Sequence, residues 1–141
     1  MRQGFSLAEM LLVLAVTGIL AGIALPRLSV IVDGIEVQGA AARLRAAHQR
    51  ARMMAVTGGR VLVLSVEADS LTITPRGSVA TLWSESGPAR SRVALEGAPR
   101  RFTFSPEGLT LGLSNATLRL HRGASTRAVV ISRLGRVRIT R

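Results

Sequence analysis

Apolar and polar positions fall along this chain in three successive patterns. From Phe5 to Leu25 there are 21 residues with a single charge, Glu9. About 20 apolar residues cross a bilayer, so the pattern predicts a membrane-spanning helix over 5–26, closed at its outer end by Pro26 and Arg27. The segment exceeds the roughly 7–15-residue apolar region of an ordinary secretory signal. Arg2 before it favours a cytoplasmic N-terminus. From 27 to 57, Leu28, Ile31, Ile35, Ala42, Ala46 and Met53 recur at spacings of three, four or seven. That stripe predicts an amphipathic stalk helix, with Arg43, Arg45, Arg50 and Arg52 on its remaining surface. Pro26, Gly34 and Gly39 each weaken a helix, so a kink or meltable stretch is expected between them. Gly58-Gly59 ends the helix.

After Gly59 the period shortens to that of strands. Val61–Val66 is a nearly continuous apolar run, and Leu71 and Ile73 alternate with threonines. Val79–Trp83 follows the Pro75-Arg76-Gly77 turn, and Ser84–Ser91 reads as a loop. Val93 with Leu95, Phe102 with Phe104, and Leu109, Leu111 and Leu113 form further alternations, the last after the Pro106-Glu107-Gly108 turn. Leu118–Leu120, Val129–Ile131 and Val137–Ile139 complete the set. One long helix followed by roughly seven or eight short strands predicts an α+β fold. In it an antiparallel β-sandwich head, residues 58–141, packs on the outer half of the helix.

Composition changes this picture in two respects. Hydrophobic residues make up 48% of the 141 positions but aromatic ones only 3%, so the core must be aliphatic. Nineteen basic residues, all of them arginine, against eight acidic ones leave a net charge of +11, which attracts polyanions such as nucleic acid or anionic lipid. Cysteine is absent, which excludes a disulfide framework and thiolate metal sites.

Glu9 is the anomaly of the first segment. An acidic side chain inside a spanning helix costs about 2.5–3.5 kcal/mol on insertion scales, and it therefore needs a partner. No arginine lies within helical reach, so the partner must come from another molecule or segment. Gly4-Phe5-Ser6-Leu7-Ala8-Glu9, followed by the apolar run from Met10 to Ala21, resembles the class III leader of type IV pilins and pseudopilins. The resemblance implies that residues 1–4 are a leader removed by the membrane-embedded prepilin peptidase, which cuts between Gly4 and Phe5 and methylates the new amino terminus. It also implies an assembly role for Glu9. The ammonium on Phe5 of one subunit meets the Glu9 carboxylate of a neighbour, and pairing offsets two charges that would each be costly in an apolar filament. Gly18 and Gly22 form a small-xxx-small pair suited to close helix contact.

Phe104-Ser105-Pro106-Glu107-Gly108, with Val130-Ile131-Ser132-Arg133-Leu134-Gly135-Arg136-Val137-Arg138, is similar to the pattern of the GspH/FimT pseudopilin family. That resemblance implies a minor pseudopilin of a type II secretion system or a minor pilin of a type IV pilus. Such a subunit is single-pass in the inner membrane, carries its head in the periplasm, and has other pilin subunits, the prepilin peptidase and the inner-membrane assembly platform as partners. Residues two apart on a strand share a face, so Arg136 and Arg138 point one way and Val137 and Ile139 the other. Arg133 and Arg141 are expected to approach the same patch, and clustered guanidinium forks suit phosphate. In the FimT branch a Gly-Arg-x-Arg motif binds DNA, and Gly135 to Arg138 match it, so a DNA-binding minor pilin is the alternative reading. A charged edge strand that blocks strand addition is the competing account of these arginines.

Catalytic chemistry is not expected. His48 and His121 sit in different predicted elements with no Asp or Glu nearby, and both read as solvated surface. No metal-ligand spacing, phosphate loop or nucleophile elbow is found, so neither a cofactor nor a metal is called for.

Overall fold

The computed structural model describes residues 6–112 and 115–141. The predicted leader, Gly4, Phe5 and the Leu113 end of one predicted strand lie outside the described residues. The chain divides into two compact units, Met1–Val32 and Asp33–Arg141.

One helix, α1, runs over Leu7–Gly58. Ser6 precedes it and its hydroxyl accepts a hydrogen bond from the Glu9 amide at 3.2 Å, the Ser-x-x-Glu arrangement of a capping box. In the first unit the side chains from Leu7 to Leu25 are exposed, and this stretch is long and apolar enough to cross a membrane. Its one hydroxyl, on Thr17, donates to the Val13 carbonyl at 2.7 Å, so it presents no unmet donor. Helical structure runs without a break through Pro26, Gly34 and Gly39. Proline removes one donor from the ladder, and the docking of residues 33–58 on the sheets outweighs the weak propensity of two glycines.

In the second unit the helix buries Val37, Ala40, Ala41, Leu44, Ala47, His48, Ala51 and Ala55. This is not the predicted stripe. Leu28, Ile31, Ile35, Ala42, Ala46 and Met53 are not on it, and Leu28, Ile31, Ile35, Ala42 and Met53 are exposed or half-exposed. Small side chains on the docking face let the helix backbone come close to the strands, and the bulkier aliphatic residues are left on the other faces.

The strands are β1 Leu62–Val66, β2 Ser70–Pro75, β3 Trp83–Ser86, β4 Ala94–Glu96, β5 Arg100–Phe104, β6 Thr110–Leu111, β7 Ala116–Arg122, β8 Ser125–Ile131 and β9 Val137–Thr140. They form two antiparallel sheets, ordered β3-β2-β1-β5-β6 and β4-β7-β8-β9. Leu62, Leu64, Leu71, Ile73, Phe102 and Phe104 from one sheet share a core with Leu118, Leu120, Val129 and Ile131 from the other and with the buried helix face. The third strand departs from expectation. Val79 is fully exposed and outside any strand, whereas β3 begins at Trp83, the end of the predicted strand, and takes in Ser84–Ser86, expected to start a loop. The pairing of Ile73 with Trp83 and of Leu71 with Glu85 decides this placement, and no local pattern encodes it. A 3-10 turn, Pro88–Ser91, follows.

Two clamps tie the helix to the head's edges. Asp33 Oδ1 meets Arg122 Nε at 2.8 Å, and Gln38 Oε1 accepts from Arg127 Nε at 3.1 Å. Between β7 and β8, Gly123 has φ +52°, and a Cβ there would run into Asp33 Oδ2, so the turn beside the first clamp requires glycine. On the far side the Arg50 guanidinium stacks over Trp83, 5.1 Å from the ring centroid.

Candidate functional site

The first candidate position is Glu9. The structure places it in the first turn of α1, exposed, rather than deep within the helix. A carboxylate there faces the partial positive charge of the helix N-terminus, which lowers its cost below that of a mid-span acid. The assembly role assigned to it does not require a deep position.

Of the C-terminal arginines, Arg133 and Arg136 precede β9, Arg138 lies on it and Arg141 follows it, and β9 is an edge strand. Residues 132–135 make a turn: Ser132 N donates to Arg136 O and Gly135 N to Ser132 O, both at 2.9 Å. Gly135 adopts φ +72°, a conformation open to glycine, and is buried. Beyond it the alternation holds as predicted, with Val137 and Ile139 half-buried against the core and Arg136 and Arg138 exposed. Arg136 and Arg138 line one groove of about 410 Å³ with Val130, Ser132, Leu134 and Thr140. Arg133 and Arg141 are exposed but do not line that groove. The Arg133 carbonyl accepts from Thr110 Oγ1 at 2.8 Å, which ties the turn to β6.

Sequence reasoning missed what lies on the other side of Arg136. A second cleft, of about 400 Å³, is lined by Arg45, His48, Gln49 and Arg52 of the helix together with Gly135 and Arg136. The missing signal was a tertiary one, because Arg45 and Arg52 are two turns apart on the helix and far from Gly135 along the chain.

His48 corrects the surface reading most sharply. It is only 2% exposed and meets the rings of Phe104 and Phe102 edge-on, with centroids 4.9 and 5.7 Å away. It lies one turn from Leu44 and from Ala51 on the buried face, a periodicity that could have flagged it. Burial first, and the Arg52 guanidinium second, push the imidazole down from 6.5 to about 4, so it is neutral at pH 7. Its Nε2 is buried with no hydrogen-bond partner. His121 is half-exposed, and it has a carboxylate neighbour on the adjacent strand, Glu96, at 3.6 Å. Among the described residues no group of His, Asp and Glu is gathered as a metal site.

A helix with an apolar exposed N-terminal part and an outer part docked on antiparallel sheets defines a pilin-like subunit, the class that builds type IV pili and type II secretion pseudopili. The N-terminal residues 1–25 match the prokaryotic N-terminal methylation motif. Residues 40–135 match the family described as "Type II transport protein GspH", and the chain belongs to that family. It is therefore a minor pilin or pseudopilin, a structural subunit of a type IV pilus or type II secretion system. A pilin-like protein of Thermus thermophilus, PilA1, is 33% identical over 98% of each chain. Two crystal structures of the type IV minor pilin FimU of Pseudomonas aeruginosa share the fold, with TM-scores of 0.61 and 0.56. They are 24% and 22% identical to this chain, covering 75% and 74% of it and 89% and 92% of their own lengths.

Proposed function

We propose that the chain works as a processed minor subunit. Prepilin peptidase removes residues 1–4, the new amino group on Phe5 is methylated, and the helix rests in the inner membrane with the head in the periplasm. The assembly platform then feeds it into a filament of other pilin subunits, where Glu9 pairs with the terminal ammonium of a neighbour. The observation that carries this is Glu9 itself, an acid in the first turn of an otherwise apolar, exposed helical stretch. The exposed aliphatic residues Ile35 and Met53 supply surface for neighbouring subunits to cover. Mass spectrometry of the native protein tests the processing, with an N-methylated Phe5 terminus expected. Recovery of chains that still begin at Met1 would refute it. Glu9→Leu should leave the protein in the membrane and keep it out of filaments.

A second reading is favoured by the groove that Arg136 and Arg138 share on an edge strand. It is a surface for DNA bound through backbone phosphates, with few aromatic side chains to stack on bases. The double variant Arg136→Gln/Arg138→Gln should lose most DNA affinity and show a flatter salt dependence. Unchanged affinity in a gel-shift titration would remove this reading and leave the structural one intact.

A further inference from the structure

The cleft between the helix and the 132–135 turn shares Leu134 and Arg136 with the outer groove but has helix residues of its own. Arg45 and Arg52 reach it from the helix and Arg136 from the turn, while His48 forms its floor. None of the described residues lining it is acidic, and the exposed side chains of three arginines border one cavity of about 400 Å³. The guanidinium groups of these three arginines make no hydrogen bond or ion pair with any described residue, unlike those of Arg43, Arg122 and Arg127. Gathering like charges without a counter-ion is unfavourable, and it persists where an anion completes the set.

The floor supplies an independent observation. Buried polar atoms are almost always satisfied, and His48 Nε2 is not. A Cβ built on Gly135 would lie 3.9 Å from His48 Cε1, the ring atom between the two nitrogens, so this edge of the imidazole faces the turn that closes the cleft, while Nε2 is buried beneath the surface. The charged groups lining the cleft around His48 are Arg45 and Arg52 from the helix and Arg136 from the turn, and Arg52 also packs against Gly108, the neighbour of Glu107. Strand β5 presents only the rings of Phe102 and Phe104, and β6 presents Thr110 beside Gly135.

We propose that this cleft binds a phosphate group, held by the forks of Arg45, Arg52 and Arg136 over the imidazole ring of His48. A lone carboxylate would leave two of the three positive charges unmet, whereas a phosphate dianion leaves one and accepts bidentate bonds from planar forks on more than one edge. Arg138, in the outer groove, takes no part in the site. The ligand is either free phosphate or a phosphodiester of nucleic acid.

The chain's two histidines make the test direct. Full-length protein in neutral detergent micelles, with histidine labelled at Cε1, is titrated at fixed pH and ionic strength with inorganic phosphate, a short oligothymidylate, or acetate. Phosphate should move the His48 resonance saturably and leave half-exposed His121 in place. Arg45→Gln/Arg52→Gln should weaken that response at least tenfold, and Arg76→Gln, which removes an exposed charge on a different turn, should not change it. If oligothymidylate moves the same resonance at lower concentration, the physiological ligand is a phosphodiester, and if inorganic phosphate alone moves it, free phosphate. Acetate acting as tightly as phosphate would mean a carboxylate from a protein neighbour and would overturn the proposal. So would a silent His48, or a shift that survives Arg45→Gln/Arg52→Gln.

Discussion

The buried imidazole makes the stability of the head depend on pH in a window where few other groups titrate. His48 titrates near 6.5 when unfolded and is pushed down to about 4 in the folded chain. Between those values the unfolded chain binds the extra proton, so stability is fully present above pH 6.5 and is lost as pH falls toward 4. The full difference is worth about 3 kcal/mol, and roughly 2 kcal/mol of it is gone by pH 5, before most carboxylates begin to protonate. Trp83 is the only tryptophan and the chain has no tyrosine, so intrinsic fluorescence reports on the head from one site. Urea unfolding of the full chain in neutral detergent, followed by Trp83 emission, should give a midpoint that falls between pH 7.5 and 5. His48→Leu keeps a side chain of similar size against Phe102 and Phe104 and has no orphaned nitrogen. It should be about as stable as the natural chain at pH 7.5 and nearly flat to pH 5. Because burial outranks the Arg52 charge as the cause, 0.5 M salt should shrink the slope only slightly. Parallel pH profiles for the two proteins would show that His48 is solvated and that the reasoning is wrong.

Two other substitutions test how the head is held together. Gly87→Ala would place its Cβ 2.5 Å from the Ala68 carbonyl oxygen and 2.6 Å from Ser70 N, backbone atoms that have nowhere to go. It should cost about 1–3 kcal/mol or more in urea unfolding. Asp33→Ala removes the partner of Arg122 in a pair whose side chains are about four-fifths buried, so a loss of roughly 1 kcal/mol is expected. Hydrogen exchange should accelerate first in the β7–β8 hairpin, and unchanged protection there would mean the clamp holds nothing.

How much of this protein was legible in the sequence depends on the range over which each feature is encoded. The apolar N-terminal segment, the Gly58-Gly59 stop and most of the strands were legible because composition and short-range alternation encode them. Val137 and Ile139 turned inward and Arg136 and Arg138 outward because the two-residue strand period left no other arrangement. The helix face was misread for a physical reason. Residues 33–58 are apolar on more than one side, and periodicity gives extra weight to the bulky members. The face that docks is the alanine-rich one, Ala40, Ala41, Ala47, Ala51 and Ala55, because a helix approaches a sheet closely only where its side chains are short. The same mistake concealed His48. Once the buried face is taken as the one through Leu44 and Ala51, His48 falls within it. Its neighbours Arg45, Gln49 and Arg52 then fall on the rim that meets Gly135. The stripe of Leu28, Ile31, Ile35, Ala42, Ala46 and Met53 is not the core; in the single chain it is surface left uncovered. For a subunit whose class assembles into filaments, such a surface has a use that an isolated globular domain would not give it.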